Sequence, residues 1–276
     1  MTSDNEMSKE EISAGETAPP ASADLLRAAD PALTEDLALA LLKHPGLPPE
    51  VLEQLAKNAS VLKSRKAKIA LASHPKTPRH VSVPLARQFY TFDLMRVALS
   101  PGVPADVKVA VDDVLISRLN TVTIGERLTL ARRASGRVAA ALLLDVETVD
   151  RKRMDGKIVA DKIVNAKTAA RETRVMQTAL ENPRLTEALV ISSVLRPVAS
   201  AALVQAVAQH AKWSCRREIR AALLRTAHLS LARALEFSRE IPAPLLHELL
   251  ASSRLPAPIK DQLLRERCTG SPPPSP

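Results

Sequence analysis

The sequence predicts an all-α protein assembled as an α-solenoid of short antiparallel helices, and three observations carry that expectation. Apolar residues make up 46% of the 276-residue chain while aromatics make up only 2%. Ala, Leu and Val must then fill the core, which suits closely packed helices better than a β-sandwich with its demand for Tyr, Phe, Ile and Thr. Seven glycines are too few to turn an all-β chain, and the 21 prolines fall mostly between Ala/Leu segments. The third observation is a recurring grammar of helix stop and helix start. Residues 69–78 read I-A-L-A-S-H-P-K-T-P. An Ala/Leu run ends there at Ser73, and Pro75 and Pro78 cannot continue it, because each lacks an amide donor and restricts the residue before it. The same punctuation stands at 41–48 (L-L-K-H-P-G-L-P), 99–104 (L-S-P-G-V-P), 180–186 (L-E-N-P-R-L-T) and 250–258 (L-A-S-S-R-L-P-A-P). Units repeated in this way pack each on its neighbours.

Residues 1–22 are rich in Ser, Glu, Ala and Pro without an apolar period, and are expected to be a disordered acidic tail. A first helical-repeat block spans 23–145. Leu25 and Leu26, then Leu33 to Leu42, then Val51 to Leu55 give three short helices, and another runs from about Ser64 to Ser73. Val81 to Ala86 lead into R-Q-F-Y-T-F-D-L at 87–94, which holds three of the five aromatics. These rings are expected to fill a junction between helices, Tyr90 alone having a polar end to turn outward. A short helix to Leu99 and a longer one over 104–119 follow. Thr123 and Glu126 then stand at the capping-box spacing, where each side chain satisfies an orphan amide of the other's turn.

Residues 146–176 form a basic, divergent helical segment without the proline punctuation. Lys167, Arg171 and Arg174 stand at i, i+4 and i+7, one stripe of a helix, while Ile158, Val159, Ile163 and Ala170 face another way. The second helical-repeat block, 177–267, restores the punctuated pattern, and 268–276 is a Pro/Ser-rich tail expected to be loose. Sliding the chain on itself by 152 residues aligns 65–108 with 217–260 without a gap. Leu71 falls on Leu223, Leu94 on Leu246, Ser100 on Ser252 and Pro104 on Pro256.

The formal charge is +9, and it is unevenly placed: residues 1–21 carry Asp4, Glu6, Glu10, Glu11 and Glu16 against Lys9. A basic body with an acidic tail admits a polyanionic partner, although net charge also serves solubility alone. Cys215 and Cys268 stand without C-x-x-C or metal-ligand spacing, so neither a disulfide framework nor a metal centre is written here, and no cofactor is implied. The N-terminus lacks a basic and apolar leader, and the longest apolar run, Val138 to Leu144, is far short of a membrane span. A cytoplasmic protein with no membrane association is expected.

Two basic segments are the candidate sites for a polyanion or another partner. Lys63, Arg65, Lys66 and Lys68 crowd the N-terminal end of one helix, where cations oppose the helix dipole at a cost of about a few tenths of a kcal/mol. Arg151, Lys152, Arg153, Lys167, Arg171 and Arg174 mark the divergent segment. Each is either a phosphate-contacting ridge or a solvated face. Catalytic patterns are missing: there is no G-x-S-x-G, P-loop, H-E-x-x-H or dinucleotide fingerprint. Asp112 and Asp113 point about 100° apart on a helix, which does not make a paired acid/base site. His44 and His74 precede Pro at equivalent turns and are expected to cap helix ends. Trp213 is expected to plug a junction between repeats, with Ser214 as N-cap of the next helix.

With H-P-K-T-P at 74–78, N-P-R-L-T at 182–186 and Ala/Leu-rich helices between them, residues 31–265 resemble a HEAT-like or leucine-rich-repeat-variant α-solenoid. The resemblance implies a right-handed superhelix of helices that binds proteins or, in some branches, nucleic acids. The chain lacks the cysteine cluster that some variant-repeat proteins carry, so no metal cluster is implied. The expected function is a non-catalytic scaffold or adaptor whose partner is a protein. The alternative is a nucleic-acid-binding solenoid contacting phosphates through the Lys/Arg segments, with a helical-repeat DNA glycosylase as its remote enzymatic version.

Overall fold

The structure is a computed structural model that describes residues 20–144 and 162–269, with side chains described over 23–144 and 170–266. Most of the acidic tail, Arg151, Lys152, Arg153 and the final residues 270–276 lie outside the described residues, as does the side chain of Lys167. The described residues are helical with no strand. They divide into two compact units, Met1–Leu85 and Ala86–Pro276.

The first unit contains α1 (Pro20–Ala29), α2 (Glu35–Leu42), α3 (Pro49–Lys57), α4 (Ala59–Lys63), α5 (Arg65–Ala72) and α6 (Arg79–Ala86), whose last residue opens the second unit. Polar caps set the starts. Thr34 Oγ1 accepts from the Leu37 amide at 3.4 Å, Asn58 Oδ1 from Ser60 at 2.9 Å and Ser64 Oγ from Ala67 at 3.1 Å. Capping of this kind satisfies amides that a helix start leaves open. The tail boundary falls earlier than the sequence suggests, because α1 takes in Pro20, and the five-residue α4 between two caps was not expected. Helix α1 packs on α3, and α2 packs on α5, burying Val51, Leu52, Leu55, Ala67 and Leu71 completely.

The loops are tied back by side chains, of which Asn58 and His74 are buried. Asn58 Nδ2 donates to the carbonyls of Ala28 at 3.0 Å and Asp30 at 2.7 Å. His74 Nδ1 accepts from the Lys76 amide at 3.2 Å while Nε2 lies 3.0 Å from the His44 carbonyl, which fixes the ring as the Nε2–H tautomer. Lys76 Nζ reaches the Gly46 carbonyl at 3.1 Å and Ser60 Oγ that of Pro31 at 2.7 Å. Each tie spans 28–30 residues. Helix starts keep the same spacing: Glu35 and Arg65 open α2 and α5, and Pro49 and Arg79 open α3 and α6, each pair 30 residues apart.

The second unit contains α7 (Thr91–Leu99), α8 (Ala105–Ser117), a 3-10 turn at Leu119–Thr121, α9 (Ile124–Arg133), α10 (Gly136–Leu144), α11 (Lys162–Leu180) and α12 (Glu187–Val194). It continues with α13 (Ala201–Gln209), α14 (Ala211–Ser214), α15 (Arg217–Leu224), α16 (Leu231–Arg239), α17 (Ala243–Ala251) and α18 (Ala257–Thr269). Thr123 and Glu126 form the expected capping box on α9, with the Glu126 carboxylate 2.8 Å from the Thr123 amide. Principal packings join near neighbours: α9 with α11, α11 with α13, α10 with α12, and α12 with α15.

The same ties recur in this unit. The Arg118 guanidinium donates to the Phe89 carbonyl at 2.6 Å and also to that of Arg87. Trp213 Nε1 donates to the Leu180 carbonyl at 2.8 Å, and Ser253 Oγ to that of Leu224 at 2.5 Å. Asn182 Nδ2 donates to Ala131 at 2.7 Å and Ala134 at 3.2 Å, while its Oδ1 accepts from Arg184 at 2.7 Å. Here the span is 51 and 48 residues, because residues 145–161 intervene. Helices α12 and α15 start 30 residues apart, as do α13 and α16. Helices α15 to α18 start 152 residues after α5 to α8, the same offset at which the sequence aligns on itself.

Two expectations need correction. Ser214 is the last residue of α14 and is not an N-cap; His210 is the N-cap of α14, and Arg216 is the N-cap residue of α15 with no side-chain cap hydrogen bond. Phe89 is buried as expected, but Phe92 is 40% exposed beside a 70% exposed Tyr90, so two of the three clustered rings face solvent.

Asn182→Ala would leave two buried carbonyls and one amide without partners. At about 1–3 kcal/mol for each buried orphan, the variant should lose at least ~2 kcal/mol in urea denaturation, and a loss below the error of the fit would refute the tie. A Cβ on Gly136 would stand 2.2 Å from the Arg184 backbone carbonyl oxygen. Gly136→Ala should therefore destabilise by about 1–3 kcal/mol, as overpacking against backbone does, read as a lowered Tm.

Candidate functional site

The structure places the first basic segment at α4 and α5. Lys63, Arg65 and Lys66 are exposed and Lys68 is half-buried. They are not a uniform field of free cations. Lys66 Nζ lies 3.3 Å from Glu35, and Ser64 Oγ, the cap of α5, donates to the same carboxylate at 2.8 Å. The Ser64 hydroxyl, and after it Lys66, hold the Glu35 carboxyl below its ordinary range. The α2 carboxylate thus neutralises one member of the group, and the ion pair is exposed enough to be worth little in stability.

The second basic segment lies on α11, the longest described helix. Its backbone carries Lys167, Arg171 and Arg174 at the expected helical spacing, and the side chains of Arg171 and Arg174 are exposed. Packing of α11 on α9 brings Arg174 beside two residues that the sequence reading did not single out, Arg132 and Arg133 in the last turn of α9. Arg174, Arg132 and Arg133 line one open depression of about 310 Å³ together with Leu128 and Thr129. Arg184 adds a further guanidinium, donating to the Arg133 carbonyl at 3.1 Å. The only sequence hint was the pair of arginines at a helix end, which favourable interaction with the helix dipole already accounts for.

A depression of about 300 Å³ on the α10 and α12 side has a different character. Asp113 pairs there with Arg137 at 2.7 Å, near Ser193 and Arg196. Asp112, one residue back and facing inward, is 4% exposed. Its Oδ2 accepts from Ser135 Oγ at 2.8 Å, whereas its Oδ1 has no hydrogen-bond partner. Burial pushes the Asp112 carboxyl above its ordinary range, opposed by the Ser135 hydroxyl and the charge of Arg137. The Ser135 hydroxyl also accepts from the Val138 amide at 3.3 Å, so it serves as the cap of α10. The Ser135 hydroxyl thus links the buried carboxylate of α8 to the start of α10.

The histidines of the H-P turns behave as structural groups: both ring nitrogens of His74 are engaged, and His44 contributes its backbone carbonyl. Among the described residues no group of three or more His, Cys, Asp or Glu is placed to hold a metal ion. No described helix is long and apolar enough to cross a membrane. Trp213 is 1% exposed, with Lys212 Nζ 4.2 Å above its ring, so its indole serves packing and the Leu180 tie.

Comparison with protein-family models, curated proteins and solved structures returned no match. The all-α class therefore rests on the helices themselves.

Because burial raises the folded-state pKa of Asp112 above that of the unfolded chain, its contribution to stability is full below the unfolded value. That contribution is lost as pH rises through the raised folded value. Asp112→Asn should remove this component. The stability difference, variant minus wild type, should grow more positive from acid to neutral pH in denaturant titrations. Parallel pH curves would contradict the assignment.

Proposed function

We propose that this chain is a non-catalytic helical-repeat protein of the α-solenoid kind, presenting helix faces and turns to a protein partner as a scaffold or adaptor. The observation that carries the reading is the recurrence of one packing unit. Helix starts 30 residues apart and buried ties spanning about the same length are what stacked helix pairs would produce. Packing confined to near neighbours fits the same arrangement. The two described depressions are open and lack aromatic walls, as surfaces made where helix faces meet would be. A glycosylase-like site would want aromatic walls and a placed carboxylate around a flipped base.

A second reading, nucleic-acid binding, is favoured by one specific observation: the arginines gathered where α9 meets α11. The sequence singled out Arg171 and Arg174, and packing adds Arg132 and Arg133 beside Arg174.

The test is an affinity capture with the tagged full chain at near-physiological salt, run with and without nuclease and followed by reconstitution with each purified candidate. The scaffold reading expects a protein that is retained after nuclease and binds the purified chain saturably. Capture that vanishes with nuclease would replace it by the second reading.

A further inference from the structure

We propose that Arg132, Arg133 and Arg174 form a phosphate-binding site that takes the sugar–phosphate backbone of a nucleic-acid duplex. The proposal rests on the nucleic-acid reading above and gives it a place and a partner geometry. Three guanidinium groups line a single depression at the α9–α11 contact. Arg171 stands exposed one turn before Arg174, and Arg184 is anchored on the Arg133 carbonyl.

Four arginines elsewhere in this unit are matched by acids. Arg137 pairs with Asp113, Arg216 with Glu187, Arg220 with Glu240 and Arg233 with Glu236. Arg132, Arg133 and Arg174 make no ion pair with any described residue. Gathering like charges without counter-charge is unfavourable, and internal packing gives no reason for it. Helix-dipole compensation explains Arg132 and Arg133 at the end of α9 but not Arg174, which lies inside α11.

The shape of the site selects the ligand. Arginine presents a planar fork that grips phosphate oxygens in pairs, as lysine does not. Arg174 enters the depression from α11 and Arg132 and Arg133 from α9, while Arg171 stands exposed about 4.5 Å further back along α11. Three guanidinium groups in one open depression, with Arg171 exposed beyond it, suit a chain of phosphates crossing the surface more than one phosphorylated side chain. Leu128 is the one large apolar residue in the lining, and no aromatic is present. Single strands are held by stacking bases on aromatic rings. A duplex hides its bases and offers its phosphates, which is what this surface can engage. Recognition of this kind is independent of sequence and steeply dependent on salt.

The test uses the full chain and fluorescence anisotropy with labelled duplex DNA and duplex RNA of about 20 base pairs, an oligothymidine single strand and a phosphoserine peptide. Three variants accompany the wild type: Arg132→Gln/Arg133→Gln/Arg174→Gln, the corresponding triple Arg→Lys, and Lys63→Gln/Arg65→Gln/Lys68→Gln in the first unit. Circular dichroism melting checks that each is folded, and single Arg132→Gln and Arg174→Gln variants replace the triple if it is not. The wild type should bind at least one duplex in preference to the single strand and the peptide, and weaken steeply between about 50 and 200 mM salt. The triple Gln variant should bind at least ~10-fold more weakly, with its log–log salt slope reduced by about 2–3. The Lys variant should fall between the two, and the first-unit variant should keep the larger part of the affinity. Duplex binding that survives the triple Gln variant but is lost in the first-unit variant would overturn this site and leave the nucleic-acid reading standing. Preference for the single strand or the phosphopeptide would overturn the duplex assignment. No duplex binding even at low salt would overturn both.

Discussion

Short helices leave much of their backbone unsatisfied, and that constraint shapes this molecule. A helix of eight or nine residues, the length of α2, α5 or α13, has four amides and four carbonyls without intrahelical partners, about half of its polar backbone. A chain made largely of such helices must find donors for buried helix-end carbonyls or lose their packing. Asn58, His74, Asn182, Trp213 and Ser253 supply them, each reaching from a turn or short helix to a carbonyl about one structural unit earlier or, for Asn182, across the intervening segment. Several use the same two-sided chemistry. The acceptor atom holds the amide two residues on, and a donor reaches back to the earlier helix end. The turn is thereby stiffened by the side chain that fixes its distance from the preceding pair.

This chemistry explains what the sequence revealed and what it hid. Proline punctuation exposed the turns at His74 and Asn182, and the polar spacing before apolar runs exposed the Thr123 capping box. The 152-residue self-alignment gave the offset that four pairs of helix starts keep to the residue. The 30-residue unit was harder to read because its tying residue changes identity: Asn, His and Ser perform one task, so residue matching at that offset is weak. The H-P pairs at 44–45 and 74–75 were its plainest trace. Helix α4 escaped notice because five residues between Asn58 and Ser64 hold too little apolar period to register. Phe92 was misplaced for another reason: adjacent aromatic residues on a helix turn point in different directions, and composition cannot say which ring faces the core.

The basic segments show the same division between local and assembled information. Lys66 looked like a free cation in sequence, yet Glu35, about 30 residues earlier, sits one unit away and meets it. Arg132 and Arg133 looked like helix-end residues, yet α11 sets Arg174 against them across some 40 positions of sequence. In one case repetition cancels charge and in the other packing concentrates it. Net charge counts both alike, which is why it could suggest a polyanion without saying where one would sit.

The Asn182 ties reach over 48 and 51 residues where comparable ties reach about 30, and they do so with ordinary hydrogen-bond lengths. Helix α11 accordingly docks on α9 in the manner of a sequence neighbour, despite the additional chain between Leu144 and Lys162. Register is restored by a local clasp: one asparagine returns the chain to the end of α9. Spatial adjacency in this fold is thus set by the reach of a side chain at a turn, and the count of residues between two helices does not decide which helices meet.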